Sequence, residues 1–510
     1  MRVPLEHYPG MNRLVLDWLG GDERFLARGD GTNRTYGTNG TSIRPISPIR
    51  PILAAALDAS NRHWGIFAKE QLQRWATGKT FTVIAGQQVG LAGGPLYTLA
   101  KIATLLRMKR DLEAQGKPVT LFFWLATEDH DFDEVATLNV PTATLPKEKD
   151  VNRQLDLLCM RAVRPAESRS VVGSLAVPEG LVAQLLALFD IPPRPSWLRE
   201  GITFRDSFAE LIATLFGNDV ILVDALLPEL RRAGALLFDQ IVEKQDDIQR
   251  LLAQRATELK AAGYNEQVIP NENGEYTLLY QLDEAGRRQP TTDNRQPEQT
   301  STSALTRPLL QDFVLQPDVF VGGPAEVAYY AQIAPLHELL GVGMPRVALR
   351  AHVLVAPKRI VRIFERFGID PARVFSSADA LLAEQEPEGV ARIRALVEEG
   401  KRELLARTSQ IGELALPADH SLAGSIQRSV GHLEFHFDKL GERAVKGLVR
   451  KEKERYAATR ELVATLYPDR NVQDRVVSWF AYWCEYGQHL VDRMVDELEA
   501  DSPCFKIVEL

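Results

Sequence analysis

The chain has 510 residues, 45% hydrophobic and 25% charged, so it can bury a large core and is expected to divide into more than one domain. Its formal charge of −8 argues against nucleic acid as a partner, because a phosphate backbone is held by excess basic side chains. Residues 1–79 open irregularly in MRVPLEHYPGMNR, which carries no apolar signal core. They are punctuated by proline at Pro45–Pro51 and turn helical over Leu53–Trp75.

Thr80–Ala85 is a short β-branched and apolar run that reads as a strand. A turn with Gly86, Gly90, Gly93 and Gly94 follows, and Pro95 stands where a first helical residue belongs. Leu96, Leu99, Ile102, Ala103 and Leu106 then form an apolar stripe at helical spacing. Val119–Ala126 is too continuously apolar to be half-exposed and predicts a second, buried strand, completing a βαβ unit. Residues 139–200 mix short strand signals with many prolines, among them Pro192-Pro193-Arg194-Pro195, and predict an insertion.

Phe204–Phe216 is an amphipathic helix, Asp219–Asp224 a third buried strand, and Pro228–Ala262 one long helix ended by Gly263. Residues 264–304 are polar and hairpin-like, a second insertion ending in a run of low hydrophobicity. Asp318–Val321 and Val347–Val355 are the fourth and fifth strands, joined by a helix over Ala325–Leu340. Five short apolar strands separated by helices predict an α/β fold with a doubly wound parallel sheet over residues 1–375.

From about Ser376 the chain becomes charged helix, and residues 376–510 are expected to form a separate helical domain with a terminal tail. Val390, Val397, Leu404 and Ile411 repeat every seven residues, with Gly400 and Arg407 interrupting the strip. Ile426, Val430, Leu433, Phe437, Leu440 and Ala444 alternate by four and three, which describes a coiled-coil seam with Pro417–His420 as the hairpin turn. Asp469–Glu499 adds a helix and Phe505–Val508 a short apolar end. No run reaches the roughly 18 apolar residues of a membrane span, so no membrane partner and a cytoplasmic location are expected. Cys159, Cys484 and Cys504 stand in no paired spacing, which suits a reducing compartment.

Ligands of open α/β sheets bind beyond the carboxyl ends of the strands. Two unusual segments fall there, GQQVGLAGGP and TEDHDFDE. The glycines could serve the turn alone. Gln87 and Gln88, however, put two amides at the strand edge, and the helix start beyond Pro95 offers N–H groups to a phosphate or carboxylate. In the acidic segment Glu128, Asp129, Asp131, Asp133 and Glu134 surround His130. Packed carboxylates can raise one another's pKa and share a proton, hold Mg²⁺, or receive a substrate ammonium. His130 lacks a nearby cysteine or a second histidine at ligand spacing, so no zinc is expected. Gly322-Gly323-Pro324 opens a second helix with Glu326 in its first turn, where an acid is favoured with or without a ligand. His432 and His436 lie four apart and read as a surface pair.

These residues resemble the bacillithiol-synthesis cysteine-adding enzymes. The resemblance rests on Gly86-Gln87-Gln88 with Gly94-Pro95-Leu96-Tyr97-Thr98, on Glu128-Asp129-His130-Asp131 with Asp133-Glu134, and on the segment from Arg307 to Gln332. It implies a Rossmann-like core similar to class I aminoacyl-tRNA synthetases, with connecting insertions and a coiled coil that pairs subunits as a homodimer. It also implies a ligase that joins L-cysteine to glucosaminyl-malate through an amide, the last step of bacillithiol synthesis.

On this reading Asp129, His130 and Asp131 carry proton transfer. Gly86, Gln87, Gln88, Gly94, Pro95, Tyr97, Thr98, Lys101, Glu128, Gly322, Gly323, Glu326 and Tyr329 bind the substrates. ATP and Mg²⁺ are the implied cosubstrate and ion, although the His-x-Gly-His and Lys-Ser-Lys-type signatures of the synthetases are absent. Two alternatives remain at this point, a nucleotidyltransferase or ligase for another acid and amine, and a non-catalytic coiled-coil scaffold.

Overall fold

The structure, a computed structural model, describes residues 1–27, 49–141, 157–164, 170–189, 195–284, 286–293, 296–383, 388–417 and 419–510. Residues 45–48 and the Pro192-Pro193-Arg194 run lie outside these. The chain divides into two compact units, Met1–Lys358 with Thr465–Leu510, and Arg359–Ala464. Among the described residues no helix is long and apolar enough to cross a membrane.

The first unit is organised by five parallel strands in the spatial order Arg346–Leu349, Val319–Gly322, Phe81–Gln87, Val119–Leu125, Ile221–Asp224. Every residue of Val119–Leu125 and Ile221–Asp224 is buried, which is why their sequences run apolar without alternation. In chain order the sheet grows in one direction through the first three strands and then returns to the other side of the first. The switch therefore falls between Phe81–Gln87 and Val319–Gly322. The Leu96–Glu113 helix makes the first crossover and Pro324–Leu339 the last.

The Ile221–Asp224 strand lies at the sheet edge, yet its outward backbone is buried. Asn61 closes it as a peptide would. Its side-chain amide donates to the Leu222 carbonyl at 2.8 Å, and its Oδ1 accepts from the Leu222 N–H at 2.9 Å. A buried backbone group needs such a partner because desolvation is otherwise uncompensated.

Three expected elements differ. The run Val347–Val355 is not one strand. Arg346–Leu349 ends at Arg350, whose buried guanidinium donates to the Ala351 carbonyl and to Asp474, and His352–Ala356 begins a different sheet. There it pairs in parallel with Cys504–Glu509, which also pairs antiparallel with Arg2–Pro4. The C-terminal 46 residues thus belong to the sheet unit, whereas the sequence suggested one helical domain over 376–510. The stretch 228–262 is three helices, Pro228–Ala233, Ala235–Glu243 and Gln245–Ala261. It breaks at Gly234, where a Cβ would come within 2.4 Å of Leu310, and at Lys244, whose ammonium reaches the Leu339 carbonyl.

The insertions form small sheets of their own. Thr137–Pro141 pairs with Leu157–Arg161, and Leu279–Leu282 lies between Arg288–Thr291 and Thr300–Thr302.

In the second unit Glu388–Ala415 and Ala423–Leu466 form an antiparallel hairpin. Gly400 was expected to interrupt its seam; instead it makes room for a ring. A Cβ at Gly400 would lie 2.5 Å from Phe437, and one at Gly441 would lie 2.8 Å from Val397. Glycine on each helix faces a large side chain on the other, and Lys401 pairs with Asp438 at 2.9 Å. The expected seam residues Ile411, Leu433 and Leu440 are exposed. His432 and His436 are exposed as well.

Replacing Asn61 by leucine keeps the volume but leaves the Leu222 N–H and carbonyl buried and unpaired. The expected loss is about 1–3 kcal/mol per orphaned group, read as a lower urea midpoint at unchanged slope.

Candidate functional site

A cavity of about 350 Å³ opens beyond the carboxyl ends of the central strands, at the switch point. Its floor is fixed by Lys101. From the buried second turn of the Leu96–Glu113 helix, the ammonium donates to the Gly86 carbonyl at 2.7 Å and to Gln87 Oε1 at 3.0 Å. It also meets Glu326 Oε2 at 2.5 Å. Those three acceptors match its three protons. Burial depresses the Lys101 pKa, and the charge of Glu326 opposes that shift. Glu326 in turn accepts from the Gly323 N–H at 2.7 Å. The lysine thus ties the end of the first strand to the start of the last crossover helix.

Gln87 donates to the Tyr97 hydroxyl at 3.2 Å, and Gln88 donates to Asp129 Oδ2 at 2.6 Å. Gly86, Gln87, Gln88, Tyr97, Lys101, Glu128, Asp129, His130, Gly323, Glu326 and Tyr329 all line the cavity, as the sequence reading expected. Burial raises the Tyr97 pKa, and burial with the Glu326 charge pushes Tyr329 up to about 12.

Gly94, Pro95, Thr98, Gly322 and Asp131 do not line it. The helix start at Pro95 is closed by protein. The Leu96 N–H donates to the Val477 carbonyl at 2.8 Å, and Trp479 packs on the glycine turn with its indole N–H on the Gly93 carbonyl at 2.9 Å. Gly93 has φ of +85°, and a Cβ there would lie 2.3 Å from the Trp479 ring. The glycines therefore serve packing. Gly322 gives its carbonyl to the Arg350 N–H. Asp131 caps the short Phe132–Ala136 helix, accepting from the Glu134 N–H at 3.3 Å.

The acidic segment is divided among tasks. Buried Glu128 accepts from Ser301 and Thr302, each at 2.7 Å, and lies 3.5 Å from Arg231. It thereby pins the Thr300–Thr302 strand of the second insertion over the sheet edge. Asp129 Oδ1 accepts from the His130 N–H at 2.7 Å. The His130 ring lies 3.4 Å from an Arg288 nitrogen. Asp133 pairs with Arg161, away from the cavity. Glu134 faces the cavity, and its pKa is raised by desolvation first and then by the charges of Asp129 and Asp131. Among the described residues no three His, Cys, Asp or Glu side chains converge as a metal-ligand group.

Sequence reasoning missed the cationic wall. Arg288, Arg307, Arg350 and Arg475 line the cavity and come from four separate segments. Arg350 is consumed by Asp474 at 2.8 Å, and Arg288 donates to the Thr302 carbonyl and lies over the Tyr280 ring at 4.0 Å. Arg307 donates to the neutral Gln311 amide at 3.1 Å. Among the described residues neither Arg307 nor Arg475 has a carboxylate partner. Only Arg307 carried a signal, as the first residue of the third recognised segment.

A doubly wound sheet with a polar cavity at its switch point defines a Rossmann-like enzyme of small molecules. The comparisons give the family. The model described as bacillithiol biosynthesis BshC, N-terminal Rossmann-like domain, matches residues 32–294 and 291–351, and the BshC C-terminal coiled-coil domain matches 353–510. A protein of Koribacter versatilis named "Putative cysteine ligase BshC" is 29% identical, covering 97% of each chain. Proteins of the same name from Solibacter usitatus and Heliobacterium modesticaldum are each 28% identical. They cover 90% and 87% of this chain and 89% and 85% of their own. The chain belongs to the BshC family of bacillithiol biosynthesis. It is accordingly an enzyme of the ligase class.

Lys101→Met keeps the packing but strips Glu326 of its cation. Removing one partner of a buried pair costs about 3–5 kcal/mol, so chemical denaturation should show a loss of that size. A loss below about 1 kcal/mol, the size of a surface pair, would mean that the tie does not hold the switch point together.

Proposed function

We propose that this enzyme joins L-cysteine to glucosaminyl-malate, the last step of bacillithiol synthesis. Family membership supports the reaction class. The observation that carries the substrate is the pair of cavity guanidiniums, Arg307 and Arg475, that have no carboxylate partner among the described residues. Malate brings two carboxylates, and arginine matches carboxylate geometry with paired N–H donors. The Glu134 carboxylate faces the same space and suits an amine or ammonium, which both substrates carry.

A free carboxylate is a poor electrophile, so the cysteine carboxyl needs activation. Arg288 lies 3.9 Å from Asp129 and lines the cavity with its Nε buried and unpartnered, which suits a phosphorylated cosubstrate such as ATP. The cosubstrate would supply a leaving group at that carboxyl. Lys101 and Glu326 hold the floor beneath, while the Thr300–Thr302 strand pinned by Glu128 limits water.

The hairpin of Glu388–Ala415 and Ala423–Leu466 leaves Leu405, Ile411, Leu414, Leu433, Phe435 and Leu440 exposed, and this apolar surface supports a homodimer. Sedimentation equilibrium at micromolar concentration should give twice the 57.0 kDa chain mass; monomer alone would overturn the assembly.

Arg307→Ala removes one charge-assisted contact worth about 1.5–3 kcal/mol, which converts to about a 10–100-fold rise in KM for glucosaminyl-malate. The assay is bacillithiol formed from cysteine and glucosaminyl-malate. An unchanged KM in both Arg307→Ala and Arg475→Ala would remove the basis for placing malate in this cavity.

A further inference from the structure

We propose that Glu134 is the catalytic residue that takes the proton from the attacking amine, an assignment that rests on the ligase reading above. The geometry assigns it by what the neighbouring carboxylates already do. Glu128 is bound to Ser301, Thr302 and Arg231. Asp129 accepts from Gln88 and from two backbone N–H groups. Asp131 is a helix cap outside the cavity, and Asp133 is paired with Arg161. Glu326 holds Lys101 and the Gly323 N–H. Glu134 alone among these faces the cavity with a side chain that makes no hydrogen bond or ion pair among the described residues.

A base must be ionised to act and must hold the proton well enough to take it, which favours a carboxyl whose affinity for protons exceeds the ordinary one. Its place on the cavity, unpartnered, and the upward direction of its pKa suit Glu134 to that task. The side chain is exposed to solvent but crowded by protein atoms: that partial desolvation raises its pKa most, the Asp129, Asp131 and Glu326 charges raise it further, and the Lys101 ammonium lowers it. Tyr97 and Tyr329 face it from the two crossover helices and stay neutral, since burial raises both hydroxyls.

The glucosamine nitrogen, whose ammonium has first lost one proton to solvent, attacks as the neutral amine the acyl carbon of cysteine held as a mixed anhydride with a phosphoryl group. The N–C bond forms, and the C–O bond to the phosphoryl oxygen breaks with its electron pair leaving on that oxygen. The proton passes from nitrogen to a Glu134 oxygen.

The experiment compares the parent protein with Glu134→Gln, Glu134→Asp and Asp133→Asn in the bacillithiol-forming assay across pH. Losing a positioned base lowers turnover by about 10²–10⁴-fold, and Glu134→Gln should do so with KM for glucosaminyl-malate within about threefold of the parent, the signature of a group acting in the transition state. The parent profile should fall on its acid side as Glu134 gains its proton. That limb should vanish in Glu134→Gln, persist at lower rate in Glu134→Asp, and match the parent in Asp133→Asn. A ¹³C carboxyl titration, with Glu134 assigned by its absence in Glu134→Gln, should place its midpoint above the ordinary glutamate range. Parent-like turnover with an intact acid limb in Glu134→Gln, or an ordinary midpoint, would overturn the assignment while leaving the ligase reading in place. Absence of any thiol product from the parent protein supplied with cysteine, glucosaminyl-malate and ATP would overturn the ligase reading and this role with it.

Discussion

The Lys101 ammonium is the constraint on which the site depends. A lysine taken from water is tolerated only when its protons find acceptors and its charge a counterion. Here the acceptors are the last carbonyl-bearing residues of the Phe81–Gln87 strand, and the counterion is Glu326 on the helix that follows Val319–Gly322. Those two strands flank the switch point, so satisfying one buried cation fixes the width of the crevice. Glu326 cannot move without freeing the Gly323 N–H as well. Around this floor, Glu128 fastens the second insertion through Ser301 and Thr302, and the insertion delivers Arg288 and Tyr280 to the opposite wall.

On the proposed reading anion recognition falls to side chains, not to helix termini. Both crossover helices begin at the carboxyl edge, where free N–H groups would suit a phosphate. One start is covered by Val477 and Trp479, and the other is capped from within by Glu326. Positive charge arrives instead as guanidinium groups from residues 288, 307, 350 and 475. Arginine suits the place because it stays charged when partly desolvated and presents its donors as a planar fork. The carboxylates facing it are mostly spoken for, which leaves a cavity that discriminates by which charges remain unmatched.

The parallel sheet was legible because buried strands leave continuous apolar runs and crossovers leave helical stripes; Val119–Leu125 and Leu96–Glu113 show both. The run through Val347–Val355 misled because sheet exchange at Arg350 depends on Asp474, which no local pattern connects to it. Gly400 looked like a flaw because its value lies in the ring of Phe437 on another helix. Cavity-lining residues concentrated in one segment were readable, as with Glu128, Asp129 and His130. Chemistry assembled from scattered single arginines was not, since Arg288 sits in a polar insertion and Arg475 in a helical stretch with no motif around it. Gly94 was assigned to the substrates, but its turn closes on a partner equally distant in sequence: Trp479 packs against the neighbouring Gly93, and Gly94 itself has φ above zero.

The central claim is that the arginine-walled cavity above Lys101 receives the malate end of glucosaminyl-malate. A crystal structure of the protein with glucosaminyl-malate bound tests it most directly. Malate carboxylate oxygens should lie within hydrogen-bond distance of Arg307 and Arg475, with the sugar nitrogen turned toward the acidic segment. Density for the ligand in the neighbouring cavity lined by Tyr8 and His352, with Arg307 still bonded only to Gln311, would contradict it.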